Sequence, residues 1–156
     1  MAIITESMIQ QAIDLARPSV QIMLRTEDLT WGPRYVSCSL RVRNMPVIQF
    51  DLGAIPKKWN TNWGEEINFA SIARRKRHEC ERGRANTSVI IATRPWTLQD
   101  GDYLYAGGAY RDGIAVGVSG AKGRTDEAIA ETIINCIILL AQLETDKRIA
   151  ANQTRL

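Results

Sequence analysis

Apolar residues return every three or four positions between Met8 and Leu24: Met8, Ile9, Ala12, Ile13, Ala16, Val20, Met23 and Leu24. That spacing draws one stripe along a helix, and Thr5-Glu6-Ser7 ahead of it supplies a cap. Pro18 falls inside the stripe, but the apolar phase survives it, which predicts a kinked helix rather than two short ones. From Arg34 to Arg43 the period changes to two. Val36, Cys38, Leu40 and Val42 alternate with Ser37, Ser39, Arg41 and Arg43, so a strand over 35–43 has one buried face and one face that is wet or turned to a ligand. Asn44-Met45-Pro46 turns the chain, and 47–52 returns as the hairpin partner. A loop from Gly53 to Asn62 follows, flanked by Trp59 and Trp63. A second helical pattern then runs from Gly64 to about Arg82 and stops at Gly83. Asn86–Thr93 reads as a short buried helix, broken at Thr93-Arg94-Pro95.

The second half of the chain opens on a hairpin, 104–110 and 114–120, around the tight turn Arg111-Asp112-Gly113. Glycine accepts the positive φ such a turn requires. Gly107, Gly108 and Gly117 remove side chains where either a helix or a ligand approaches the sheet. A small-residue loop leads into the last helix, Asp126 to about Ala150. Thr125 is placed to cap it, and Asp126 and Glu127 suit the positive end of its dipole. This helix is apolar on almost every side from Ile129 to Leu143. Such a helix needs burial on more than one face. The sheet covers one. The first helix, through Ile9, Ile13, Val20 and Leu24, or a second subunit covers the rest. A homo-oligomer joined through the last helix is the expectation, with Ile134 and Ile138 as outward-facing candidates.

Composition narrows the class without naming it. With 156 residues the chain makes a single domain over 1–156, long enough for a core. A net charge of +3 gives no case for nucleic acid. Ile133–Leu143 is too short to span a bilayer and carries Asn135 and Gln142, and no secretory pattern opens the chain. Cys38, Cys80 and Cys136 fall on separate elements without metal-binding spacing. Reduced thiols, a cytoplasmic location and no metal follow as expectations.

Candidate chemistry gathers around the hairpin. Gly117-x-Ser119 lacks the second glycine of a nucleophile elbow, and Gly120-x-x-Gly123 lacks the ending of a phosphate-binding loop. A Gly-rich loop ending at a helix start still favours a small anionic ligand, or serves only a tight turn. Gly107, Gly108, Ser119, Gly120, Lys122, Gly123 and Arg124 are the residues such a ligand would meet. Trp59, Trp63, Trp96, Tyr103, Tyr105 and Tyr110 surround the same region, as a cleft for a planar ligand or as packing and interface. The run Arg74–Arg77 with Arg82 and Arg84 reads as a solvated, ion-paired helix face. His78, the single histidine, is where a haem ligand would be sought first. Cys80, two residues on, points from another helix face.

The Gly-Gly pair, the Asp-Gly turn, Val-Gly-Val-Ser-Gly, Asp-Glu-Ala at a helix start, and Ile67-Asn-Phe-Ala-Ser-Ile-Ala-Arg-Arg-Lys-Arg77 together resemble the GlcG-like, or haem-binding-protein-like, family. A similar domain ends a corrinoid adenosyltransferase, and the Arg-Arg-Lys-Arg run resembles a sister branch of haem-degrading-domain proteins. The resemblance spans roughly 5–147. It implies a profilin-like α+β fold: an antiparallel sheet of four to five strands with helices on both faces, the first and last on one and the central helix on the other. It also implies a ligand, haem or another planar carboxylate, and it aligns Lys76 with the family's recurring helix lysine. The rival expectation is a metal-independent enzyme acting on a small organic acid. There Lys76 or Lys122 would hold the carboxylate, and Tyr105 or Tyr110 would serve as acid or base.

Overall fold

A computed structural model describes residues 3–32, 34–54, 68–153 and 155. Helix α1, Glu6–Arg25, starts where the Thr5 hydroxyl accepts from the Met8 N–H at 3.2 Å. It runs through Pro18 without a break. The carbonyl that loses its helical donor there belongs to Asp14, an exposed residue where water can replace the bond. Strands β1, Tyr35–Val42, and β2, Ile48–Gly53, form the first hairpin. Then come α2, Phe69–Gly83, α3, Thr87–Thr93, β3, Gly108–Arg111, β4, Ile114–Ser119, and α4, Gly123–Ala150. The four strands form one antiparallel sheet in the order β2-β1-β4-β3.

One face of that sheet carries the apolar core. Val36, Cys38, Leu40 and Val42 of β1, with Val116 and Val118 of β4, pack against α1 and α4. The other face is not the open surface its serines and arginines suggest, because α2 lies across it. Ser39 is fully buried and its hydroxyl accepts from Arg77 Nε at 3.0 Å. Arg41 Nε donates to Glu81 at 2.7 Å, and the Ser37 hydroxyl meets Asp51, its cross-strand partner on β2. The polar face of β1 is thus satisfied by Asp51 on the next strand for Ser37, and by a helix some forty residues away for Ser39 and Arg41.

Glycine decides how close that helix comes. Gly108 and Gly117 are paired across β3 and β4. A Cβ on Gly117 would lie 2.0 Å from the Ala73 carbonyl, and one on Gly108 would lie 2.6 Å from that of Lys76. Of the two occupants the sequence leaves open above these residues, the helix fills the space. β3 is shorter than the expected 104–110. Gly107, at φ +146°, bends the chain away ahead of the strand, and Leu104 is exposed. The turn after β3 is as expected, with positive φ at Asp112 and Gly113.

Three helix ends differ from their expected places. The segment 64–67, where the second helix was expected to begin, lies outside the described residues. From there on, Asn68 caps α2 by accepting from the Ser71 N–H. Gly83 is its last residue rather than its cap, and Arg84 takes the left-handed conformation at φ +49°. Gly83 packs against the Ile90 side chain, which would have to shift to admit a Cβ there. α3 buries only Thr87 and Ile90, so it is not a core helix. α4 begins at Gly123 with Lys122 in the cap position, which places Thr125 inside the first turn and buried.

α4 is long and apolar enough to cross a bilayer by length and composition, a longer stretch than Ile133–Leu143 alone. Its first half is nevertheless core: Ile129, Ala130, Ile133, Ile134 and Ile137 are buried against the sheet and α1. Ile134, expected to face outward, is 1% exposed. α1 covers the side that seemed to need a second subunit. The exposed apolar residues of α4 are Leu139, Leu143 and Ile149. Cys38, Cys80 and Cys136 sit on β1, α2 and α4 as free thiols.

Candidate functional site

Where β4 ends, the chain turns through Gly120, Ala121 and Lys122 and enters α4. Gly120 adopts φ +140° there, with Tyr35 backbone so near that a Cβ would fall 2.5 Å from its carbonyl. From the first turn of α4, Asp126 reaches back over this loop. Its Oδ1 accepts the Ala121 N–H at 2.9 Å, and the Gly120 N–H adds a second backbone bond. Its Oδ2 accepts from Lys76 Nζ at 3.1 Å, which crosses from α2 and also donates to the Val118 carbonyl at 3.1 Å. Both side chains of this ion pair are within 2% of full burial. The Lys76 ammonium lies over the Tyr105 ring, 4.7 Å from its centroid. Gly107 makes the room, since a Cβ there would stand 2.4 Å from Nζ.

Above this pair opens a cleft of about 440 Å³. Lys76 and Asp126 form its floor, Ser119, Gly120, Ala121 and Gly123 one side, and Trp31, Phe69, Ile72 and Tyr105 the walls. Trp31 is 75% exposed and carries Lys122 Nζ over its ring at 5.0 Å. The cap residue of α4, Lys122, makes no side-chain cap hydrogen bond, so it leaves the first N–H groups at the positive end of the helix dipole without an acceptor of its own.

Burial dominates the protonation chemistry. It raises the Asp126 carboxyl to about 6 against the opposing pull of Lys76. It also lowers the Lys76 ammonium, which Asp126 holds up. The Tyr105 phenol is raised, first by burial and then by Tyr103, whose ring lies 5.3 Å away. At neutral pH the floor is an ion pair, the nearby phenol keeps its proton, and the helix start adds a positive end. An anion with a flat apolar body matches that arrangement.

The structure gathers Ser119, Gly120, Gly123, Lys76 and Tyr105 into the cleft and sets the other expected residues apart. Gly107 accommodates Lys76, and Gly108 lies under α2. Lys122 stands beside Trp31, while Arg124 is exposed on α4. Tyr110 is on β3, its N–H bonded to Asn86. His78 is exposed on α2, outside the lining, and Cys80 is buried. Trp59 and Trp63 lie outside the described residues. The arginine run also divides: Arg74 is exposed, Lys76 is buried in the cleft lining, where its alignment with the family's helix lysine points it, and Arg77 and Glu79 are buried, contrary to a solvated helix face. Sequence reasoning missed Trp31, Phe69, Ile72, Ala121 and above all Asp126, which it read as a dipole residue only. A larger groove, about 780 Å³, lies between the two hairpins' turns and the second half of α4, lined largely by apolar residues such as Met45, Ile114 and Ile138. No group of three or more His, Cys, Asp or Glu among the described residues is placed to hold a metal.

Fold and site define a class: an α+β domain with a four-stranded antiparallel sheet between helices, and a cleft where the central strand meets the last helix. Solved structures share this architecture. One is HbpS, 20% identical, covering 84% of this chain and 87% of its own with a TM-score of 0.55. Another is Klebsiella pneumoniae protein ORFY of the DUF336 family, at 16%, 83%, 88% and 0.53. A third is PduOC in complex with haem, at 16%, 82%, 91% and 0.53. The fold is therefore the one expected from the GlcG-like resemblance. By sequence, no family model and no curated protein matches the chain.

Proposed function

We propose that the cleft binds a small flat carboxylate. One observation carries this reading: a buried Lys76–Asp126 pair floors an aromatic-walled cleft beside the start of α4, where the cap residue Lys122 makes no side-chain cap hydrogen bond. The ligand's apolar body packs on Trp31, Phe69 and Tyr105. Its carboxylate takes the N–H groups at the start of α4, with the Lys76 charge beneath.

Haem belongs to the same class through its propionates, and the PduOC complex is with haem. The lining suits the acid groups but not the iron. Among the described lining residues only Tyr105 carries a group that ligates haem iron, and burial keeps its phenol protonated. His78 is exposed elsewhere. No step is therefore routed through iron. The raised Tyr105 phenol also favours the enzymatic alternative in one form only, with Tyr105 as proton donor to a bound organic acid, not as base.

Titration with benzoate, metal-free protoporphyrin and haem tests the reading. Benzoate is expected to bind, more weakly in Trp31→Ala, and the two porphyrins are expected to bind alike, with no change of the haem Soret band in His78→Ala. Absence of benzoate binding, or a Soret band lost with His78, would overturn it.

A further inference from the structure

The larger groove follows from the length of α4. That helix has 28 residues, roughly 42 Å, whereas the neighbouring strands β1 and β4 have 8 and 6, at most roughly 26 Å. Starting beside the end of β4, α4 runs back along the sheet and out past the two hairpin turns at the far side. Those turns are tied together: Val42 pairs with Ile114, and the Arg43 N–H donates to the Gly113 carbonyl at 2.7 Å. Beneath the overhanging helix lies the groove, about 780 Å³. Val42 and Ile114, each 3% exposed, form its floor, and the half-buried Ile4, Met45, Ile138 and Ala141 its walls. Apolar clefts of this size are the kind that take small molecules.

The polar groups of the groove set the sign of its occupant. Arg43, Asp112 and Asp146 are the charged side chains of the lining; all three are exposed, and none is in an ion pair among the described residues. The Arg43 side chain lies along the neighbouring turn, so close that a Cβ on Gly113 would stand 2.8 Å from its Cγ. Lys147 and Arg148 follow Asp146 along α4 but stay outside the lining, and Arg148 donates to Glu144 at 2.8 Å. Two carboxylates against one guanidinium leave the groove negative, on a chain whose net charge is +3. A groove of that sign complements a monocation and disfavours the anions that suit the Lys76 cleft.

We propose that this groove is a second ligand site, for a molecule with an aliphatic body and one cationic nitrogen, such as an alkylamine. The aliphatic body packs on Val42, Ile114, Met45 and Ile138, and the ammonium stays at the rim with Asp112 and Asp146. Apolar area removed from water supplies most of the affinity, and the exposed carboxylates supply the preference for positive charge. The groove meets α4 at 138–146 and the Lys76 cleft meets it at 123–126, so this site does not depend on what the cleft binds.

Octylammonium and octanol, titrated into the full chain by calorimetry at pH 7.5, test the proposal, because they share a tail and differ in charge. Octylammonium is expected to bind several-fold more tightly, the scale of a pair of exposed charge contacts. Asp112→Asn combined with Asp146→Asn should bring the two ligands to equal affinity and leave octanol unchanged; asparagine also suits the positive φ at 112. Ala141→Phe, which fills the groove, should weaken both ligands. Equal affinity for the amine and the alcohol in the parent protein, a preference that survives the two asparagines, or binding of both unchanged in Ala141→Phe would overturn it. So would octanoate binding that exceeds the amine's and is lost in Ala141→Phe, or binding of neither tail, the result for a groove closed by a second copy of the chain.

Discussion

At the floor of the cleft, burial pushes Lys76 and Asp126 toward neutrality, and each, 3.1 Å from the other, holds its partner toward the charged form. Glu79, three residues along α2, has no such partner, and burial raises it from an ordinary 4.5 to about 7. A carboxyl whose folded pKa is raised stabilises the fold fully below its unfolded value and loses that contribution as pH rises through the folded value. The window here is pH 4.5 to 7, worth at most about 3.5 kcal/mol at 1.4 kcal/mol per pKa unit. Asp126, raised to about 6, acts in the same direction. Thermal melts should therefore fall between pH 5.5 and pH 8. In Glu79→Gln the pH 8 value should rise by several degrees, with little change at pH 5.5. A parent melting temperature that climbs toward pH 8 would show Glu79 to be stabilised in its charged form.

Among the elements, α2 and the sheet are held at a distance only glycine permits. A methyl at Gly117 would collide with the Ala73 carbonyl and the Arg77 amide, both backbone. Gly117→Ala should cost about 1–3 kcal/mol in urea denaturation through overpacking. Because α2 carries Lys76, it should also weaken ligand binding in the cleft. An unchanged midpoint would mean the helix has slack the structure does not show. The sequence was most readable where burial is one-sided: Val36, Cys38, Leu40 and Val42 keep a period of two because a single core face needs them. Ser39 and Arg41 carry the same period but looked wet, since their partners, Arg77 and Glu81, belong to a distant helix. Arg77 and Glu79 looked solvated for the same reason. A charge run declares itself locally, while its partners do not: Asp126 is fifty residues from Lys76. Ser119, Gly120 and Gly123 were legible because a Gly-rich helix start is a local signal. Trp31 and Asp126 were not, because only the fold brings them together.

For the molecule as a whole, α1 and the sheet account for the first half of α4, and that weakens the argument that a partner must cover it. The apolar surface still exposed is smaller: Leu139 at 50% and Leu143 at 46% on α4, and Leu15 and Ile22 on α1. We propose that self-association, if it uses α4, uses this second half. Light scattering at micromolar concentration should report an oligomer that Leu139→Glu with Leu143→Glu dissociates, and a monomeric unmodified protein would contradict it.

The proposal that the cleft binds a carboxylate is tested most directly by the pH dependence of benzoate affinity. At pH 8 the floor is a neutral ion pair. As pH falls through about 6, Asp126 takes a proton and leaves the Lys76 charge uncompensated beneath the ligand. Benzoate, ionised until roughly pH 4, should therefore bind several-fold more tightly at pH 5.5 than at pH 8. Affinity that is flat or falls toward pH 5.5 in the parent protein would contradict the account.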